Sequence, residues 1–149
     1  MPIRVGIIGL SADEDAWTSL SHIVPLRNNL SSEYTVTALA TSSSKTAAAA
    51  AAKWGLPANK AYSSAQEIAQ DPDVDLVVVG VKLPLHKELA LPALRAGKDV
   101  FVEWPLANGE ADIEELVQAA KEGGGRTVMG LQARTSPVIQ KACHSLIDI

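Results

Sequence analysis

Two side chains that can carry a proton lie at the ends of neighbouring apolar segments of this sequence. His86 follows the segment at residues 74–81, and Glu103 closes the segment at residues 98–104. If both segments are parallel strands, their carboxyl ends meet at one edge of a sheet, where α/β proteins bind ligands. An imidazole and a carboxylate across such a crevice are typical of acid/base chemistry. A histidine at the start of a helix is equally consistent with a structural role.

Three further side chains are predicted to contact a ligand at the same edge: Lys82, Trp104 and Arg134. The two cations have the chemistry to bind an anion, although either is also consistent with an ordinary solvated charge. The indole of Trp104, in the segment VEWPL, either stacks on an unsaturated ligand or only fills space over the sheet. The Trp104–Pro105 bond is a candidate for a cis peptide.

The loop after the first apolar segment, GLSADEDAW, falls where dinucleotide-binding folds carry G-x-G-x-x-G. Gly9 occupies the first glycine position, Ser11 the second and Glu14 the third, so the motif match is weak. With its neighbours Asp13 and Asp15, Glu14 is expected to repel a diphosphate. The alternative is that these acids stabilise the start of their own helix.

The segment after the second apolar run, ATSSSKT, lacks the acid that usually holds the ribose of NAD. Ser42 and Lys45, with the serines between them, are candidates for binding a 2′-phosphate, which predicts NADP in preference to NAD. The same residues are equally suited to cap the helix that follows.

Short apolar segments alternate with helical patterns along the whole chain. Strands are predicted near residues 3–9, 34–41, 74–81, 98–103 and 126–132, with a short one at 61–62, and helices near 14–30, 43–54, 64–70, 84–96 and 109–122. This alternation predicts an α/β fold, a doubly wound parallel sheet of order 3-2-1-4-5-6, as one domain over residues 1–149. In the first helix, we expect Trp17 to pack and assign no role to His22.

Composition excludes several classes of protein. Residues of hydrophobic type make up 47% of the chain, enough for a core, and the net charge of −4 argues against nucleic acid or an anionic membrane as partner. The single cysteine, Cys143, precludes an internal disulfide and fits a reducing compartment. No signal peptide, membrane span, metal motif or serine-nucleophile motif is recognisable, so we expect a soluble, cytoplasmic protein without a metal.

The segments RVGIIGLSA, DPDVDLVVVGV, LHKELALPALRAGKDVFVEWPL and RTVMGLQARTSP occur in this order. The chain resembles the N-terminal Rossmann half of the Gfo/Idh/MocA oxidoreductases, and within them a fungal subgroup similar to the galactose/lactose regulon repressor. The resemblance implies an NAD(P) site and a strand-end corner that usually reads E-K-P. Here Trp104 replaces that lysine, whose ammonium group assists proton transfer.

The family's C-terminal half is missing from this sequence. The chain is therefore expected to be either a fragment or a protein without that domain. We expect apolar surface to be exposed around the fifth and sixth strands and the last helix, covered by a second copy of the chain or by a partner protein.

Three functional interpretations follow from the sequence. The first is a repurposed small-molecule-binding domain that performs cofactor-independent acid/base chemistry such as isomerisation, elimination or cyclisation. The second is an NAD(P)-dependent oxidoreductase or a part of one. The third is a regulator that binds NAD(P) without turning over a substrate.

Overall fold

The sheet has six parallel strands in the order β3-β2-β1-β4-β5-β6. A computed structural model describes the backbone of residues 1–147 and the side chains of this range except those of residues 133, 135, 142 and 144–147. The α/β class and the strand order predicted from the sequence are confirmed. In the described part of the chain, no helix is long and apolar enough to cross a membrane.

The strands and helices alternate along the chain. The strands are β1 Ile3–Ile8, β2 Tyr34–Ala40, β3 Ala61–Tyr62, β4 Leu76–Val79, β5 Asp99–Glu103 and β6 Thr127–Gly130. The helices are α1 Val24–Asn28, α2 Ser44–Trp54, α3 Ala65–Gln70, α4 His86–Arg95, α5 Glu110–Gly123 and α6 Pro137–Ile147, and a π-helical segment, Ser19–Ile23, leads into α1.

The central strands are apolar on both faces because helices cover both sides of the sheet. In β4, Val77 and Val79 belong to a core shared with α3, α4 and α5, whereas Val78 faces a second core formed with α2 and the π-helical segment. The alternation follows from the two-residue period of a strand. The sheet is therefore packed between two hydrophobic layers, one on each face.

Helix α2 shows how local sequence sets the ends of an element. Its N-cap is Ser43, whose side chain accepts a hydrogen bond from the backbone N–H of Thr46, and it ends at Gly55 in the left-handed conformation. Within its alanine run, Ala47, Ala50 and Ala51 are buried against the sheet. The predicted close packing of this run is confirmed.

The first helix begins later than the predicted residue 14. The Asp13 carboxylate accepts a hydrogen bond from the backbone N–H of Asp15 at 3.0 Å, and the Ser19 hydroxyl donates to the Asp13 carbonyl at 2.6 Å. These local bonds compete with helical ones and hold residues 13–16 in turns. The loop that follows β1 is therefore longer than the sequence pattern suggested.

One side of the sheet retains exposed apolar surface. A groove of about 500 Å³ runs between α5 and strands β5 and β6, and its walls include Val102, Leu116 and Met129. Val117 and Val128 also line it, and both are exposed. The apolar surface expected around the fifth and sixth strands is present.

Ion pairs fasten the opposite, amino-terminal edge of the sheet. Arg4 donates to Asp75 through its Nη2 at 2.6 Å, its Nε at 2.9 Å and its backbone N–H at 2.9 Å. These bonds lower the pKa of the Asp75 carboxyl from 3.8 to about 2. Because the folded pKa is depressed, the pair stabilises the fold above about pH 4, and this stabilisation is lost as the pH falls towards 2.

We predict that Asp75→Asn lowers the free energy of unfolding by about 1 kcal/mol at pH 7, a value discounted because both side chains are about two-fifths exposed. Urea denaturation at pH 7 and at stepwise lower pH should show the difference from the unsubstituted protein shrinking between about pH 4 and pH 2. Asp15→Asn, an exposed acid in the loop after β1, is the control and should be near neutral. A pH-independent difference would contradict the prediction.

Candidate functional site

A cleft of about 640 Å³ opens at the carboxyl ends of β1 and β2. It lies at the point where the strand order reverses between β1 and β4, which is where doubly wound sheets bind ligands. The loop after β1 supplies Gly9, Ser11 and Ala12, and the end of β2 supplies Thr41 and Ser42. Small and hydroxyl-bearing side chains thus form much of the wall.

Gly9 is the one glycine of the nucleotide-binding pattern that this chain keeps, and its backbone requires it. Its φ is +90°, and a Cβ at this position would lie 2.5 Å from the carbonyl oxygen of Gly80 and 2.6 Å from Val81 Cγ1. The Thr18 hydroxyl donates to the Gly9 carbonyl at 2.9 Å. These contacts fix the tight turn that leads from β1 into the cleft.

The acids of the loop do not lie where the sequence analysis placed them. None of Asp13, Glu14 and Asp15 is among the residues that line the cleft. Glu14 pairs with Lys53 at the end of α2, while Asp13 bonds to its own turn. These carboxylates are therefore outside the cleft lining, and Asp13 stabilises the turn that precedes its helix; their repulsion of a diphosphate stays a prediction.

The end of β2 presents hydroxyl groups and no carboxylate. Thr41 and Thr46 share a hydrogen bond of 2.7 Å between their hydroxyls, and Ser43 lies 2.8 Å from the same Thr46 oxygen. Ser42 is exposed and lines the cleft, whereas Lys45 is exposed in the first turn of α2 and is not among the lining residues.

Glu103 ends β5 as a buried carboxylate, with only 6% of the residue exposed. It accepts hydrogen bonds from Trp17 Nε1 at 3.0 Å and from Gln132 Nε2, and its Oε1 lies 2.5 Å from His22 Nε2. The carboxylate therefore joins three segments: the π-helical region after β1, strand β5 and the turn after β6. A buried acid satisfied by three partners is a fixed anchor of the site.

The sequence analysis missed both Trp17 and His22 as partners of Glu103. The reason is the helix geometry, because these residues lie five positions apart and point to different sides of an ordinary α-helix. His22 lies in the π-helical segment Ser19–Ile23, whose hydrogen bonds span five residues, and Trp17 lies just before this segment, so regular α-helical spacing does not hold between them. Trp17 does not pack in the core, contrary to expectation, and is 56% exposed.

His86 lies at the start of α4 and is only 1% exposed. Its Nδ1 lies 2.9 Å from the carbonyl oxygen of Pro105, and its Nε2 lies 2.9 Å from that of Val81. Its hydrogen bonds in the described structure are to these two carbonyls, and Glu103 bonds to His22 instead. The arrangement braces the loop after β4 against the loop after β5.

The remaining predicted ligand residues stay on the surface of the carboxyl edge. Lys82 and Arg134 are both exposed, and neither is among the residues lining the cleft. Trp104 is 59% exposed, and its bond to Pro105 is cis, which confirms that prediction.

A family model described as "Oxidoreductase family, NAD-binding Rossmann fold" matches residues 3–131. Dehydrogenase aclE from Aspergillus oryzae is 47% identical over 140 residues, which cover 93% of this chain and 38% of that protein. The galactose/lactose metabolism regulatory protein GAL80 of Saccharomyces cerevisiae is 33% identical over 147 residues, covering 95% of this chain and 33% of that protein.

Solved structures agree with these matches. A super-repressor mutant of Gal80p from Saccharomyces cerevisiae gives a TM-score of 0.85 at 30% identity, and the match covers 99% of this chain and 39% of that one. Biliverdin reductase from Synechocystis, in complex with biliverdin and NADP+, gives a TM-score of 0.80 at 27% identity and covers 98% of this chain and 43% of that one.

The sheet order and the cleft at its switch point define a Rossmann-type dinucleotide-binding domain. The chain belongs to the Gfo/Idh/MocA family of oxidoreductases. It spans 38% of the length of the Aspergillus oryzae dehydrogenase. The relatives are dehydrogenases and regulators, so the first interpretation, cofactor-independent isomerase, lyase or cyclase chemistry, is not supported and is withdrawn.

We predict that Glu103→Gln lowers the free energy of unfolding by about 2 kcal/mol, because the new amide would oppose one of the donors with another donor in a buried site. Urea denaturation followed by indole fluorescence measures the loss. Glu114→Gln, on the exposed side of α5, is the matched control and should change stability little. Equal effects of the two substitutions would show that Glu103 is not an anchor.

Proposed function

We propose that this chain is the dinucleotide-binding part of a dehydrogenase and that it prefers NADP to NAD. The observation that carries the proposal is the cleft at the β1/β4 switch point, entered through the tight turn at Gly9 and free of acid at the end of β2. The family match supports a dinucleotide, and the hydroxyl groups beside the cleft support the phosphorylated form.

In this proposal, different groups of the chain bind different parts of the cofactor. The turn from Gly9 to Ser11 lets the backbone approach the diphosphate, because no Cβ blocks it at Gly9. Ser42 and Lys45 bind the 2′-phosphate at the end of β2. The acids of the loop after β1 are outside the cleft lining, and Lys53 pairs with Glu14, which reduces the charge opposing a phosphate; Glu88 is an acid that does line the cleft.

The chemistry at the other end of the cofactor depends on β5. A bound nicotinamide supplies or accepts a hydride, and a dehydrogenase also needs a group to move the substrate proton. Trp104 occupies the lysine position and has no proton to exchange there. We propose that Glu103 is the carboxylate of this edge that moves the proton. His86 has a positioning role through its bond to Pro105.

The test is a cofactor switch. We predict that Ser42→Asp weakens NADPH binding about tenfold and strengthens NADH binding, because a carboxylate repels the 2′-phosphate and accepts hydrogen bonds from a ribose diol. Thermal shift and isothermal titration measure both affinities; saturating ligand at about 100 times its Kd should stabilise the unsubstituted protein by about 2.7 kcal/mol.

Ser32→Asp is the matched control, because it places the same charge on an exposed serine before β2 that is not among the residues lining the cleft. It should leave the NADPH preference unchanged. If no dinucleotide binds to the unsubstituted protein, the proposed function is wrong.

A second candidate function is a regulator that binds the dinucleotide without turnover. The observation in its favour is Trp104, because an indole at the lysine position leaves the hydride step without its usual proton donor. The similarity to the galactose/lactose regulatory protein supports the same candidate. Tight NADPH binding without oxidation of any alcohol supplied would favour it over the dehydrogenase.

We also propose that the groove between α5 and strands β5 and β6 is covered in the working protein by a second copy or a partner protein. Val117 and Val128 are exposed there beside an apolar groove, and apolar surface of this kind marks interfaces.

We predict that Val128→Lys abolishes self-association of this chain in sedimentation velocity and light scattering while leaving NADPH binding intact, because an ammonium group at the groove would have to be desolvated on contact. Leu30→Ala, an exposed apolar position before β2, is the control. A chain that is monomeric at high concentration would contradict the second-copy form of the proposal.

A further inference from the structure

The loop after β1 is held in place by the end of helix α2. The indole Nε1 of Trp54 donates a hydrogen bond to the Ser11 carbonyl at 2.6 Å, although the two residues lie far apart in the sequence. Ser11 lines the cleft, whereas Trp54 does not. The indole therefore holds this stretch of backbone from outside the cleft lining.

The bond from Trp54 fixes the direction of a backbone donor. The Ser11 carbonyl and the Ala12 N–H belong to one peptide unit, which is trans. In a planar trans peptide these two groups point in opposite directions. Because the carbonyl is directed at Trp54, the Ala12 N–H is directed away from it, and Ala12 is itself a residue of the cleft lining.

The backbone N–H groups of Ser11 and Ala12 are available to a ligand. Within the part of the chain that the structure describes, neither of them donates a hydrogen bond to another group. The next N–H along, that of Asp13, is already bonded to the Ser11 hydroxyl at 3.0 Å. Successive N–H groups without an acceptor attract an anion.

The hold on the peptide matters because Ser11 stands at the second glycine position of the nucleotide-binding pattern. Its φ is not positive, so the backbone here does not use the conformation that favours glycine. Without the indole, the peptide after Ser11 would be free to rotate and turn its carbonyl oxygen towards the cleft. A carbonyl oxygen only accepts hydrogen bonds, so it would oppose a phosphate.

Trp54 is itself fixed by its neighbours. Its carbonyl accepts a hydrogen bond from Arg27 Nη2 at 2.5 Å, and its ring packs against the core formed by β1, β2 and α2. The Lys53 ammonium lies 6.0 Å from the centre of the ring and pairs with Glu14 of the loop. A donor held in this way is preorganised, so little freedom is lost when a ligand binds.

We infer that Trp54 is a positioning residue for the dinucleotide: by holding the Ser11 carbonyl, it directs the Ala12 N–H at the diphosphate. The inference rests on the proposed function, because it requires a dinucleotide in the cleft. Trp54 acts through the loop after β1, whereas the proposed 2′-phosphate site lies at the end of β2. Its effect is therefore confined to ligands that carry a diphosphate.

The test compares two ligands, NADPH and adenosine 2′-phosphate, which shares the adenosine and the 2′-phosphate but lacks the diphosphate. Both are titrated calorimetrically into the full chain and into Trp54→Phe, which keeps an aromatic ring and loses the N–H. We expect the substitution to weaken NADPH binding about tenfold, because a charge-assisted hydrogen bond is misdirected. The affinity for adenosine 2′-phosphate should change less than about twofold.

Val36→Ala is the matched control. Val36 is buried in the same core as the Trp54 ring, on β2, and does not line the cleft. Its truncation lowers the stability to urea through lost packing and leaves the loop after β1 untouched. Both affinities should be unchanged in this variant, which separates loss of stability from loss of positioning.

A second measurement needs no substitution and so does not depend on the folding of Trp54→Phe. In the 15N-labelled full chain, we expect the backbone amide proton signal of Ala12 to move downfield when NADPH is added. Adenosine 2′-phosphate should move it much less, because it brings no diphosphate to this N–H.

Equal weakening of both ligands by Trp54→Phe would show a general effect on the cleft and would overturn the inference, as would an unchanged NADPH affinity. An Ala12 signal that responds equally to both ligands, or to neither, would also overturn it. Failure of the unsubstituted chain to bind NADPH counts against the proposed function and removes the inference with it. NADPH binding of equal strength in the unsubstituted chain and in Trp54→Phe counts against the role of Trp54 alone.

Discussion

The site depends on one buried carboxylate. Glu103 sits at the end of β5 and receives hydrogen bonds from segments that are far apart in the chain, through Trp17, His22 and Gln132. Burying a charge is costly unless its partners satisfy it, so these bonds must form together as the edge of the sheet assembles. The orientation of the π-helical segment against the end of β5 follows from that requirement.

The tight turn at Gly9 explains why a weak nucleotide-binding motif still leads into a cleft. Gly9 alone provides the turn, since its positive φ and its contact with Gly80 leave no space for a side chain. The remaining glycine positions are replaced by a longer loop whose polar groups bond to one another and to Lys53. The chain has thus kept the tight backbone turn of the nucleotide-binding motif and has replaced the other glycine positions of that motif.

Much of the fold could be predicted from the sequence because its signals are local. Valine-rich segments mark strands covered on both faces, and Ser43 and Gly55 set the ends of α2. The site was less predictable because its contacts join distant segments. His86 and Glu103 were paired on the expectation that neighbouring strand ends face each other, yet His86 turns to two backbone carbonyls. The observed partner of Glu103 is His22, which could not be predicted because the residue pattern does not indicate a π-helix.

The presence of Trp104 at the position of the family's lysine changes the chemistry of this corner as well as removing a proton donor. A lysine carries an ammonium group with three N–H donors, whereas an indole carries a single N–H donor. Trp17 and Trp104 are both exposed here, and the buried carboxylate of this corner, Glu103, is already hydrogen-bonded to Trp17, His22 and Gln132. The cleft at the ends of β1 and β2 is therefore accompanied at the end of β5 by a corner that presents exposed indole surface in place of an ammonium group.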